Sequence, residues 1–264
     1  MIHQFKVASG QRVDLLLDFD ACHSIVRTGN GKYILKPVIK VIPFVLNGIE
    51  GFVDTALLGS NVVVSAQVNG EIVRATMPNT QTGKFFLAHL TPTNHDVVIT
   101  ADDHATAVIS GVPVPTTTSI TAVSTSGAPI PVITPPTLEA SATHSIGGTV
   151  TLSPLSATDE TVFVAAMQTL GSGPTVTVKS QVAVSEVDPQ DNPTGNYPYA
   201  LTLPIEAPSL GPYATPLPIV FAKQPAEVGV NYTLQVSATG YQSKSLNIPD
   251  ISVVDTPQDF TLTP

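Results

Sequence analysis

Residues 232–248 read YTLQVSATGYQSKSLNI, and residues 95–112 read HDVVITADDHATAVISGV. Each begins with a strand-like run, turns through a short polar step and resumes as a second run. Alternation of apolar and polar side chains with period two marks a strand with one buried face. The likeness extends outward from these stretches. GGTVTLSP (147–154) answers GFVDTALL (51–58), and TGNYPYALTL (194–203) answers TGKFFLAHL (82–90). Matched phrases recurring in one order are the mark of an internal repeat, and they predict two copies of one β-sandwich. In the first copy NVVVSAQVNGEIVRATM adds a hairpin with Asn69-Gly70 as its two-residue turn. A proline-rich insertion, Pro204 to Gly229, enlarges the second copy and is expected to wrap its surface.

The composition agrees with an all-β chain. Among 264 residues, 42% are hydrophobic but only 6% aromatic, with no Trp, 24 Pro and 18 Gly, a profile that suits many short strands joined by turns. Eleven basic residues against 20 acidic ones give a net charge of -9 without a Lys/Arg cluster. That disfavours nucleic acid, since phosphate recognition needs concentrated positive charge. The charged fraction, 12%, is about half the usual ~25%; a surface of Thr, Ser and Asn in place of Lys and Glu is common in exported bacterial β-proteins. A single cysteine excludes an internal disulfide. No stretch approaches the ~18 apolar residues of a membrane span, and the first residues, MIHQFKVASGQRVD, lack the pattern of a signal peptide.

Four segments follow. Residues 1–46 carry a β-hairpin, residues 47–114 the first sandwich, residues 115–137 a Pro/Thr-rich linker stiffened by proline, and residues 138–264 the second, larger sandwich. In the first segment Leu15 to Leu17 reads as a buried strand. Asp20 is expected to cap a helical turn over ACHSIV, and YILKPVIKVIPFVL reads as a second strand.

The repeated phrase, with its "T-G-x-Y/F-x-L" strand and its final "V-x-V-x-A-x-G-Y", resembles the carboxypeptidase-regulatory-like, transthyretin-like sandwich. Tyr232 through Tyr241 matches closely, whereas Asp103-His104 replaces the Gly-Tyr turn in the first copy. The opening stretch LDFDACHSIVRTGNGKYILKPVI, within about residues 11–42, resembles the closing segment of an uncharacterised domain of exported bacterial lipoproteins. What this implies is an exported, envelope-anchored parent protein of which the chain is a C-terminal part. The expected role is then a non-catalytic cell-surface spacer or interaction module with a protein or cell-surface partner, able to self-associate through strand edges.

Against that role stand several chemistry-bearing clusters. Asp102, Asp103 and His104 share one turn and are the leading candidates for an acid–base or metal site, which would make the chain a metal-assisted hydrolase of esters or phosphoesters. A solvated turn explains the same residues. Asp18, Asp20 and His23 beside Cys22 could ligate metal, but capping and hairpin roles account for them too, and no second His stands at a fixed offset. His95 and Asp96 lie at the far end of a strand from His104. Asp188, Asp191 and Asn192 offer oxygen ligands without the EF-hand spacing. No cofactor is expected; were these groups to bind an ion, zinc or calcium would fit. Carbohydrate binding is a third reading, resting on Tyr197, Tyr199, Tyr213, Tyr232 and Tyr241 in the second copy, though Tyr197 and Tyr241 suit core positions.

Overall fold

Among the described residues, four short strands precede Asn47. β1 (Leu15–Phe19) pairs antiparallel with β4 (Ile39–Pro43), and β2 (Ile25–Arg27) pairs antiparallel with β3 (Tyr33–Leu35). Ile25 and Val26 thus belong to a strand, not to the helical turn expected over ACHSIV, as β-branched side chains favour. The structure is a computed structural model. It describes these strands together with residues 47–125, 138–155, 160–188, 190, 193–255 and 257–264.

The first repeat contains β5 (Gly48–Phe52), β6 (Val63–Val68), β7 (Glu71–Thr76), β8 (Lys84–Ala88), β9 (Asn94–Thr100), β10 (Ala107–Pro113) and β11 (Ile120–Ala122). The second contains β12 (Thr143–Leu152), β13 (Val162–Thr169), β14 (Thr175–Ala183), β15 (Asn196–Pro204), β16 (Ser209–Pro212), β17 (Ala222–Lys223), β18 (Tyr232–Ala238), β19 (Lys244–Ile248) and β20 (Phe260–Leu262). In the first unit the sheet β11-β5-β8 lies over β10-β9-β6-β7; in the second, β20-β12-β15 lies over β19-β18-β13-β14. The strand orders are identical. Even the parallel pairs coincide, β11 with β5 and β20 with β12.

The correspondence reaches single bonds. Val53 N–H donates to Gly83 O at 2.9 Å and Leu152 N–H to Gly195 O at 2.9 Å, with Gly83 (φ 68°) and Gly195 (φ 75°) both left-handed, a conformation glycine takes without steric cost. A bulge falls after Ala66 in one unit and after Ala166 in the other. These bonds and registers match Gly48, not Gly51, to Gly147, three residues from the expected alignment. Gly48 faces Ala88 and Gly147 faces Ala200. At both sites a Cβ would strike a carbonyl, of Leu87 and Tyr199 respectively.

The units differ in how their larger sheets end. β16 pairs in parallel with β10, and β17 pairs with β16, so the first unit's sheet runs β17-β16-β10-β9-β6-β7. These two strands come from the proline-rich insertion of the second unit. Contrary to expectation, the insertion is a strap that completes the first unit, with Ile219 and Phe221 buried in that unit's core. Lys223 pairs with Glu139 and Glu206 at the strap's edge. The expected linker also differs: β11 lies within it, and Leu138 just beyond it is buried in the first core.

The second unit packs on the outer face of the first unit's larger sheet. Val98 and Val108 point outward there and are buried among the second unit's core residues, each worth about 1.5–3 kcal/mol of removed apolar surface. Gln67, 0% exposed, rivets the contact. Its amide donates to Thr177 O at 2.8 Å and accepts from Thr177 N–H at 2.8 Å, while Thr177 Oγ1 donates to Gly70 O at 2.7 Å. The Gln67 side chain thus pairs as another strand's backbone would, and no polar atom of its amide is wasted.

Candidate functional site

The turn Ala101–His104 has the same form as Ala238–Tyr241. His104 N–H donates to Ala101 O at 3.3 Å, as Tyr241 N–H does to Ala238 O at 3.2 Å. Gly240 (φ 81°) holds the left-handed position in the second unit, and Asp103 (φ 59°) holds it in the first. A side chain there is tolerated chiefly for Asp and Asn. Tyr241 reaches back to its own unit and donates to Pro154 O at 2.7 Å. His104 instead donates from Nδ1 to Asp102 O at 2.7 Å; a carbonyl can only accept, so in the neutral ring Nε2 keeps its lone pair.

Asp102 is fixed from two sides. Asn61 Nδ2 donates to its carboxylate at 2.7 Å, and Lys179 Nζ of the second unit stands 3.9 Å from it. The turn is further held by the segment joining the units, through Ser141 N–H to Asp103 O at 2.8 Å and Ala105 N–H to Glu139 O at 2.8 Å.

Beside this turn the two units leave a cleft of about 640 Å³, within the size range of small-molecule sites, roughly 300–1,000 Å³. Its floor is the outer face of the first unit's sheet, where Val63 and Ile72 remain 37% and 39% exposed. The second unit closes over Val98 and Val108 on that face but not over these two. Val178 and Lys179 line the opposite side, and Asn61, Asp102, Asp103 and His104 the rim. Thr106, 2% exposed, also lines the cleft, and its Oγ1 has no hydrogen-bond partner among the described residues.

The other predicted groups lie elsewhere. His95 is 1% exposed in the first core, at the position of Tyr232 in the second. Its Nδ1 donates to Thr93 O at 3.1 Å and its Nε2 has no partner among the described residues. Burial lowers its pKa, against smaller opposing effects of the Thr93 bond and the Asp96 charge. Asp96 points to the other face and accepts from Gly111 N–H at 3.0 Å; burial raises its pKa, partly offset by that bond and by His95. Asp188 accepts from Gln190 N–H at 2.9 Å in a local turn. Asp18 lies in β1 opposite Lys40. Asp20, Cys22, His23, Asp191 and Asn192 fall outside the described residues. Among the described residues no three His, Cys, Asp or Glu side chains converge.

The tyrosines do not form a platform. Tyr197, Tyr199 and Tyr232 are buried, with Tyr232 OH donating to Pro204 O at 2.8 Å and Tyr199 OH to Gln258 O at 2.6 Å. Burial raises both phenol pKa values, and the Asp259 charge adds to the rise at Tyr199. Sequence reasoning found the turn but missed its partners. Lys179, Thr106, Val63 and Ile72 carry no local signal, because what unites them is packing between units; Asn61, at φ 49°, could be read only as a turn residue.

Residues 2–37 match the model of a domain of unknown function, DUF4382. No curated protein and no solved structure matches the chain. No helix among the described residues is long and apolar enough to cross a membrane.

Proposed function

We propose that the chain is a non-catalytic interaction module of an exported, envelope-anchored bacterial protein, its two transthyretin-like sandwiches acting as one stiff spacer. The observation that carries this reading is the strap. By lending β16, β17, Ile219 and Phe221 to the first unit, the second unit fixes their relation, which suits a part that holds surfaces at a set distance and angle. The surfaces it would offer a protein or cell-surface partner are the inter-unit cleft and the sheet edges at β7, β14 and β19, which carry no further strand among the described residues. Export is supported by the low charged fraction and by the resemblance of the opening stretch to a lipoprotein domain.

The test is a screen of purified protein against general ester and phosphoester substrates, with its metal content measured by elemental analysis. The expected result is no turnover that a chelator abolishes. Chelator-sensitive hydrolysis that is lost on His104→Ala would replace this reading with a metal-assisted hydrolase working through Asp102, Asp103 and His104.

A further inference from the structure

We infer that the inter-unit cleft binds a neutral carbohydrate, a sugar ring lying with its C–H face on Val63 and Ile72 and its hydroxyls toward Asp103, His104 and Lys179. The inference rests on the interaction-module reading and names its ligand.

Three observations select the ligand class. First, the floor is apolar: Val63, Ile72 and Ala75 are left partly or wholly exposed beside Val98 and Val108, which the second unit covers. An apolar strip of this kind accepts one face of a ring. Second, the rim mixes charges and roles. The Asp102 and Asp103 carboxylates and, in the neutral ring, His104 Nε2 accept hydrogen bonds, and Lys179 donates them. Hydroxyl groups, which both donate and accept, can satisfy all of these together. An anionic ligand would face two carboxylates against one ammonium, and a wholly apolar ligand would strip water from charged groups and give nothing back. Third, Thr106 Oγ1 is buried at the cleft without a partner among the described residues. A buried hydroxyl left unpaired is costly, and a ligand hydroxyl or a water it holds would supply the missing bond.

The left-handed Asp103 agrees with this assignment. The sister turn uses Gly240 at the same place, so the side chain is carried at a conformational cost and projects a carboxylate where the second unit has none.

The experiment is calorimetric titration of the whole chain with neutral trisaccharides of the cello-, xylo-, malto- and chito-series, with a sulfated oligosaccharide and inorganic phosphate as anionic probes. Saturable binding of at least one neutral glycan is expected, with no binding of the anions. Asp103→Gly, which keeps the turn, and Lys179→Ala should each weaken it by about tenfold or more, the scale of a hydrogen bond to a charged group. Ala75→Leu, filling the cleft from an exposed strand position, should abolish it. Absence of saturable binding across the neutral panel, binding that survives all three substitutions, or preference for the sulfated probe overturns the proposal. A chain that neither binds nor cleaves these glycans refutes the carbohydrate ligand alone, whereas one that cleaves them refutes the non-catalytic reading and keeps the carbohydrate ligand.

Discussion

The two sandwiches share strand order, bulge and glycine turns, yet they close their cores differently: the second takes in only Val98 and Val108 from the first unit's sheet face, whereas the first takes in a whole strap of the second. The second unit buries Tyr197, Tyr199, Tyr232 and Phe260 among its aliphatic side chains. The first has smaller or more polar groups at matched places, His95 where Tyr232 stands, and borrows Ile219 and Phe221 from the strap. Its β10 is largely buried, whereas the matching β19 is exposed over four of its five residues. The comparison teaches that a repeat can fix topology while leaving volume unsettled. Missing core volume and a bare strand edge were here supplied by the neighbouring unit, and the loan welds the pair.

If that account holds, substitutions at matched places should have unequal effects. The largest is expected from Phe221→Ala, which empties aromatic volume from the first core and should cost about 3–5 kcal/mol, measured by urea denaturation followed through separate probes in each unit. A cost below ~1 kcal/mol would mean that the strap only lies against the first unit.

A smaller effect is expected at His95. Burial depresses its folded pKa below 6.5, so as pH falls past that value the unfolded chain takes up a proton that the folded chain resists. Its contribution is therefore complete above pH 6.5 and is lost on acidification. Asp96 acts in the opposite sense. Its folded pKa is raised above 3.8, so it favours the folded chain as pH falls toward that value. Thermal melts of wild type and His95→Leu compared at about pH 7.5 and about pH 5 should show a shallower fall for the variant. An unchanged pH dependence would show that His95 is protonated in the folded state or exposed.

The smallest effect concerns the turns. Asp103→Gly should leave stability unchanged or raise it by less than about 1 kcal/mol, because relief of the left-handed side chain is offset by the greater freedom of glycine when unfolded. Destabilisation by more than that would show that Asp103 holds the units together.

Much of this fold was legible because sandwich strands announce themselves locally. His95 to His104 and Tyr232 to Tyr241 align residue for residue, and Asn69 (φ 53°) and Gly70 (φ 79°) form the turn their identities predict. The strap was not legible. Ser209–Pro212 is four residues containing Gly and Pro, and its pairing with Ala107–Ser110 is decided by a core many residues away. The offset at Gly48 escaped for a related reason. Gly51 and Gly147 look alike in sequence, and only the register against Ala88 and Ala200 tells which glycine must approach a carbonyl. The candidate site divides the same way, its turn visible in ADDH and its floor visible only once two sheets meet.

Hydrogen–deuterium exchange of the Phe221→Ala chain against wild type tests the interlock most directly. Exchange should rise across β9 and β10 while β13 and β18 keep their protection, because the lost volume belongs to the first core alone. Faster exchange confined to residues 162–169 and 232–238, or no change outside the strap itself, would contradict the claim that the second unit completes the first.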